Sequence, residues 1–184
     1  MLKVAIVIGN PKPNSRTRRI AEMLADEVLA GTEATRQVIE LSQYADEMFR
    51  WPSQTMVDLN RIVAESDLAV VASPTYKATF TGLLKAFLDR YPANGLKNVT
   101  AIPIMTGADL GHSMAPNANL VPLLLELGAI VPGPGLYFVT AQMDRVEELV
   151  AMRAEQIVCT LKTMAPLVNA VSSASRAGKT TAGL

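Results

Sequence analysis

Val4-Ala5-Ile6-Val7-Ile8 is an apolar run with no polar interruption, and it ends in Gly9-Asn10-Pro11-Lys12-Pro13-Asn14-Ser15-Arg16-Thr17. A strand with one wet face alternates apolar and polar residues. A continuous run instead reads as a strand covered on both faces, as in a parallel sheet packed between helices. Leu68-Ala69-Val70-Val71-Ala72 repeats the pattern, residues 99–105 follow it more loosely, and Gln37-Val38-Ile39-Glu40-Leu41 reads as a further strand. The last strand starts near Ile130, is broken by Pro132-Gly133-Pro134-Gly135 and resumes as Leu136-Tyr137-Phe138-Val139. Helical spacing separates these runs. Residues 16–30 carry Ile20, Leu24 and Val28 on one face and stop at Gly31, and residues 55–65 carry Leu59, Ile62 and Val63. Phe80, Leu83, Leu84, Phe87, Leu88 and Tyr91 form a wide apolar stripe, and residues 119–127 and 144–167 read as the remaining helices. Strict β-α alternation predicts a parallel sheet with helices on both faces. In such a sheet the ligand lies beyond the carboxyl ends of the strands, where the strand order switches.

The chain has 184 residues, which fits one domain over residues 1–170 with a small, polar, disordered tail expected at 171–184. Its 17 basic and 17 acidic residues cancel, so it has no broad basic field for nucleic acid or an anionic membrane. No apolar run reaches membrane-spanning length, and the first strand begins too early for a signal peptide. The lone cysteine, Cys159, lies in a helical pattern and is expected to be small and buried; it excludes an intrachain disulfide and agrees with a cytoplasmic location. Tyr44, Met48, Phe49 and Trp51 crowd the connection at 42–53, as in a docked loop or a partner surface.

The first strand, its polar loop and the following helix make a site for a phosphate. Free N–H groups point outward at a helix N-terminus, and the helix dipole favours an anion there. The loop adds the hydroxyls of Ser15 and Thr17 and the cations Lys12, Arg16 and Arg18. It lacks the three glycines of the dinucleotide fingerprint and the Gly-Lys-Ser/Thr of the Walker loop. Gly178-Lys179-Thr180 imitates the latter with no strand before it. A hydroxyl-rich loop with one glycine suits a terminal phosphate monoester better than a pyrophosphate. Ser73-Pro74-Thr75-Tyr76-Lys77 and Thr106-Gly107-Ala108-Asp109 are the loops after two neighbouring strands, and the three are expected to meet.

These loops together resemble the flavodoxin-like NAD(P)H-dependent FMN reductases. Residues 9–17 are similar to that family's G-S-x-R-x-x-S-x-S/T loop. Ser73-Pro74-Thr75-Tyr76-Lys77 with Gly82-Leu83-Leu84-Lys85 and Asp89 is similar to its second block, and residues 106–109 to its T-G-G loop. The Tyr76-Lys77 form is most similar to the alkanesulfonate-type reductases that feed two-component monooxygenases. The resemblance implies a flavodoxin-like three-layer α/β fold, a five-stranded parallel sheet in the order 2-1-3-4-5. It implies that Asn10, Lys12, Ser15, Arg16 and Thr17 hold the FMN phosphate through side chains and amides. By the same carry-over Pro74, Thr75, Tyr76 and Lys77 wrap one edge of the ring, and Thr106, Gly107, Ala108 and Asp109 border its pyrimidine side. Asn10 and Lys12 replace the family's Ser and Arg, which implies weaker, more exchangeable phosphate binding. Asp109 sets an anion where a reduced flavin would lie. Pro116-Asn117-Ala118-Asn119 lacks the aromatic that the alkanesulfonate-type enzymes insert there.

No triad, metal-ligand cluster or carboxylate pair presents itself, and the one histidine, His112, reads as a loop residue more readily than as a flavin or nicotinamide contact. Hydride transfer from NADPH or NADH to FMN needs stacking and orientation rather than an acid or base. Lys77 is expected to reach over the site toward the nicotinamide cofactor or the reduced flavin. A quinone or azo reductase that keeps its FMN is the alternative. An electron carrier of flavodoxin type fits less well, because such carriers are acidic and this chain is neutral. A homodimer or homotetramer is expected from the Phe80–Tyr91 stripe and the aromatic loop, with a flavin-dependent monooxygenase as transient partner.

Overall fold

The computed structural model describes residues 1–180, with side chains described through residue 172. Strands β1 (Leu2–Ile8), β2 (Ala34–Glu40), β3 (Leu68–Pro74), β4 (Thr100–Gly107) and β5 (Leu136–Val139) form one sheet in the order β2-β1-β3-β4-β5, every pair parallel. This is the flavodoxin-like order that the resemblance implied. Helices α1 (Arg16–Val28), α2 (Gln54–Ala64), α3 (Gly82–Leu88), α4 (Val121–Glu126) and α5 (Val146–Thr180) flank it.

The apolar runs explain the layers. Side chains alternate across a strand, so Ala5, Val7, Ala69 and Val71 pack with Met56, Val63, Leu84, Phe87 and Leu124 of α2, α3 and α4. Their neighbours Val4, Ile6, Ile8 and Val70 pack with Ile20 and Leu24 of α1 and Val150 and Ile157 of α5. β3, with neighbours on both sides, is buried at every position. Each large side chain buried this way contributes roughly 1.5–3 kcal/mol.

The break in the last strand has a counterpart in β4. Ala101 donates its N–H to Ile130 at 2.8 Å, and two residues on, Pro103 turns toward the same side with no N–H to give. The chain leaves the ladder there through residues 132–135 and rejoins it where Ile104 pairs with Leu136.

Three expectations change. The Phe80–Tyr91 stripe is not one helix: Thr81 caps α3 by accepting from Leu84 N at 3.1 Å, so Phe80 precedes the helix and Tyr91 follows it. Phe80, Leu83 and Tyr91 pack on the same core, with the Tyr91 and Phe87 rings edge-to-face at 6.0 Å, so this chain itself fills the stripe's width. Cys159 is exposed rather than buried, because Ile157 is the last buried residue on α5 among the described residues and the helix then runs past the sheet. α5 continues to Thr180, beyond the end expected at residue 167. The expected tail, 171–184, thus falls partly on this extension, and 181–184 lie outside the described residues.

Connection 41–53 is docked. Leu41 and Met48 are buried, and the Arg90 guanidinium lies 3.9 Å from the Trp51 ring centroid while donating to Met48 O and Arg50 O. Phe49 at 79% and Trp51 at 67% nonetheless remain exposed.

Candidate active site

The carboxyl ends of β1, β3 and β4 open into a cleft of about 460 Å³, within the usual size of small-molecule sites. Asn10, Lys12, Ser15, Arg16, Thr17, Pro74, Thr75, Tyr76, Thr106, Gly107 and Ala108 line it, so the three loops singled out in the sequence do meet. Pro13, Asn14 and Thr140 line it as well. Thr140 follows β5, which carries no polar loop motif to mark it. Lys77, Asp109 and His112 are exposed and outside this lining.

The first loop is shaped by side chains bonding back to the backbone. Asn10 Oδ1 accepts from Lys12 N at 2.9 Å, and Asn10 Nδ2 donates to Thr17 Oγ1 at 3.0 Å. Thr17 Oγ1 in turn shares a hydrogen bond of 2.9 Å with Thr106 Oγ1, and both threonines are buried. The Thr17 hydroxyl therefore ties α1 to β4 while still lining the cleft. Ser15 is the N-cap of α1, with its Oγ accepting from Arg18 N at 3.2 Å. A hydroxyl that accepts still has its proton to give. Among the described residues the N–H groups of Arg16 and Thr17 have no partner, as expected for the first turn of a helix.

The cations divide. Lys12 and Arg16 have no carboxylate partner among the described residues; Arg16 makes only a long bond of 3.4 Å to Thr140 O. Arg18 is committed elsewhere, to Glu22 at 3.1 Å and to Glu40 at 2.9 Å. The Glu22 bond chiefly, with Glu40 adding, raises its pKa above the ordinary arginine value. Arg18 is thus removed from the cations available to an anion in the cleft.

The other two loops brace each other. Thr75 N donates to Thr106 O at 2.7 Å, and Thr81 Oγ1 donates to Gly9 O at 2.6 Å. Gly9 is needed for that approach, since a Cβ there would stand 2.7 Å from Leu84 Cβ. Tyr76 and Thr79 exchange backbone bonds of 2.8 and 3.2 Å around Lys77 and Ala78, which take φ of 51° and 68°. Two left-handed residues make the tight hairpin turn that glycine and asparagine favour, at a cost of about 1–2 kcal/mol per residue for other types. Asn119 Nδ2 holds the turn from outside by donating to Ala78 O at 3.2 Å.

Tyr137 was not legible as a site residue. Its hydroxyl donates to Asp109 O at 2.9 Å and lies over Gly107, where a Cβ would collide with it unless the tyrosine side chain moved. Burial raises the Tyr137 pKa, a Thr75 contact opposes this, and the Asp109 charge adds to it. Asp109 Oδ1 accepts from Gly111 N at 2.8 Å and caps the short turn Leu110–His112. Its carboxylate serves as a local cap next to Ala108 of the cleft lining.

A family profile described as NADPH-dependent FMN reductase matches residues 2–144. The chain belongs to this family. It is 31% identical over 119 residues to an FMN reductase (NADPH) of Pseudomonas putida strain KT2440, an alignment covering 62% of this chain and 60% of that relative. It is 26% identical to the NADH-dependent FMN reductase SfnE of Pseudomonas putida, covering 92% of this chain and 94% of the relative. A solved oxidoreductase from Corynebacterium diphtheriae superposes with a TM-score of 0.77 at 25% identity, covering 87% of this chain and 96% of that one.

The donor set fits a phosphate monoester. The cleft offers two free amides at a helix N-terminus, the Ser15 hydroxyl and two cations without carboxylate partners. Such groups form the strong, charge-assisted class of hydrogen bond with a phosphate.

Proposed function

We propose that this protein transfers hydride from NAD(P)H to FMN seated in the cleft. The convergence of the three loops on one cleft, with the α1 N-terminus at its polar end, carries the reading. The Arg16 and Thr17 amides, the Ser15 hydroxyl, Asn10 and the Lys12 and Arg16 side chains would hold the phosphate. Pro74, Thr75 and Tyr76 would border one edge of the ring and Thr106, Gly107 and Ala108 the other. FMN, when bound, supplies the hydride-accepting chemistry. The chain's part is to fix the flavin's position and to balance negative charge. The Thr75 amide is bonded to Thr106 O and the Tyr76 amide to Thr79 O, so that balance falls to N–H groups such as those of Ala108 and Asp109, which are free among the described residues. Lys77 stands exposed at the turn tip, in reach of solvent-borne NAD(P)H phosphates.

The relatives' printed names include both NADPH- and NADH-dependent enzymes, so the reading covers either nucleotide. We further propose that FMN leaves after reduction and serves a flavin-dependent monooxygenase in the cytoplasm. Lys12, a point charge where the family's arginine would offer a planar fork, supports exchange over permanent binding. No helix among the described residues is long and apolar enough to cross a membrane. Exposed Phe49 and Trp51 support self-association as a homodimer or homotetramer.

The test is anaerobic mixing of catalytic protein with NADPH and excess FMN. Bleaching of many equivalents of flavin supports the reading. Bleaching limited to one equivalent, with a quinone then reduced, would make the protein a quinone reductase with resident FMN.

A further inference from the structure

Glu40 ends β2 with 3% of its surface exposed, and a carboxylate so buried requires partners. It has three. Oε1 accepts from Asn14 N at 2.9 Å, and Oε2 accepts from Arg18 Nη1 at 2.9 Å and from Gln43 Nε2 at 3.3 Å. Two of these converge on one residue, because Arg18 Nη1 also donates to Asn14 Oδ1 at 3.2 Å. Asn14 is thus gripped at its backbone N–H and at its side-chain carbonyl. It has φ of 50°, in the left-handed region, and directly precedes Ser15, the N-cap of α1. The direction in which the chain enters the helix, and so where the Arg16 and Thr17 amides point, depends on Asn14 holding that conformation.

We propose that Glu40 is a positioning residue: through Asn14 and Arg18 it holds the β1–α1 loop in the shape that receives a phosphate, and so sets the preference for FMN over riboflavin. The inference rests on the phosphate assignment made under Proposed function. It also accounts for a buried anion behind an anion site. A through-space charge effect of Glu40 would weaken phosphate binding, whereas its hydrogen bonds strengthen it by ordering the donors. The two effects have opposite signs, so experiment separates them.

Glu40→Gln is the informative change. A glutamine amide has one oxygen and one NH₂, so either orientation presents a donor to Asn14 N–H or to the Arg18 guanidinium. Flavin-free protein is titrated with FMN and with riboflavin, following quenching of flavin fluorescence. Glu40→Gln is expected to raise the FMN Kd by about tenfold, one hydrogen bond to a charged group at 1.4 kcal/mol per decade, with riboflavin changed by less than about twofold. Arg18→Met, at a side chain that is 30% exposed, reads the same network if Glu40→Gln does not fold. It is expected to lower the FMN preference in the same direction, and the double variant is expected to be no worse than the poorer single one.

An unchanged FMN-to-riboflavin ratio in the variants, or tighter FMN binding on removing the carboxylate, would overturn the proposal. Additive losses would overturn it too, since they would place Arg18 on the phosphate itself. A parent protein that binds both flavins equally would instead refute the phosphate assignment, which keeps the two failures apart.

Discussion

Thr17→Val isolates the bond that ties the first loop to β4. Valine keeps the shape of threonine, so no cavity opens, and what is lost is Oγ1 with its bonds of 3.0 Å to Asn10 Nδ2 and 2.9 Å to Thr106 Oγ1. A neutral hydrogen bond contributes about 1 kcal/mol net, and a buried donor left unpaired costs about 1–3 kcal/mol. Asn10 Nδ2 is such a donor, with Asn10 only 9% exposed. The substitution is therefore expected to destabilise by about 2–4 kcal/mol, which for a chain of this size lowers Tm by roughly 4–16 °C. Urea unfolding followed by circular dichroism gives the first number and a thermal melt the second. Thr106→Val loses only the shared bond and should cost less, and the double variant should fall short of additivity by about 1 kcal/mol. Because Oγ1 holds Asn10, which shapes the phosphate loop, any loss of FMN over riboflavin should come with the loss of stability. A Thr17→Val protein within about 0.5 kcal/mol of the parent that loses FMN selectively would return this hydroxyl to the phosphate and refute the reasoning.

Ser15→Ala should behave in the opposite way. It removes a donor to a charged group, so equilibrium dialysis should show FMN weakened by about 10- to 150-fold, or 1.5–3 kcal/mol, and riboflavin far less. Asp109→Asn keeps a side chain that caps equally well, so both Tm and the bound flavin's reduction potential, measured by dye equilibration, should stay at the parent's values. Phe49→Ser with Trp51→Ser should shift light-scattering mass toward the monomer at micromolar concentration. An unchanged mass would take that face out of the subunit contact.

The architecture was legible because its signal is local. Residues 4–8 and 68–72 carry burial on both faces in their own composition, and the Pro-Gly break at 132–135 is visible without any fold. The ends of elements were less legible. β2 begins at Ala34 rather than 37, because an edge strand exposes Thr35, Arg36 and Gln37 and so leaves no apolar run there. Cys159 looked buried from its neighbours, but burial depends on where α5 outruns the sheet, which no residue near it encodes. The cleft's main residues were found through motifs on three loops. What they missed lies in long-range pairs: Glu40 with Asn14, 26 positions apart, and Tyr137 with Asp109, 28 apart. Arg18 looked like a third phosphate cation for the same reason, since one of its carboxylates comes from β2.

The central claim is that the N-terminus of α1 receives the flavin phosphate, and a crystal structure of the full chain with FMN tests it most directly. The account predicts the phosphate within hydrogen-bond distance of the Arg16 and Thr17 amides and the Ser15 hydroxyl, with the ring between residues 74–76 and 106–108. A phosphate bound away from that helix end, or a ring that touches neither of those loops, would contradict it.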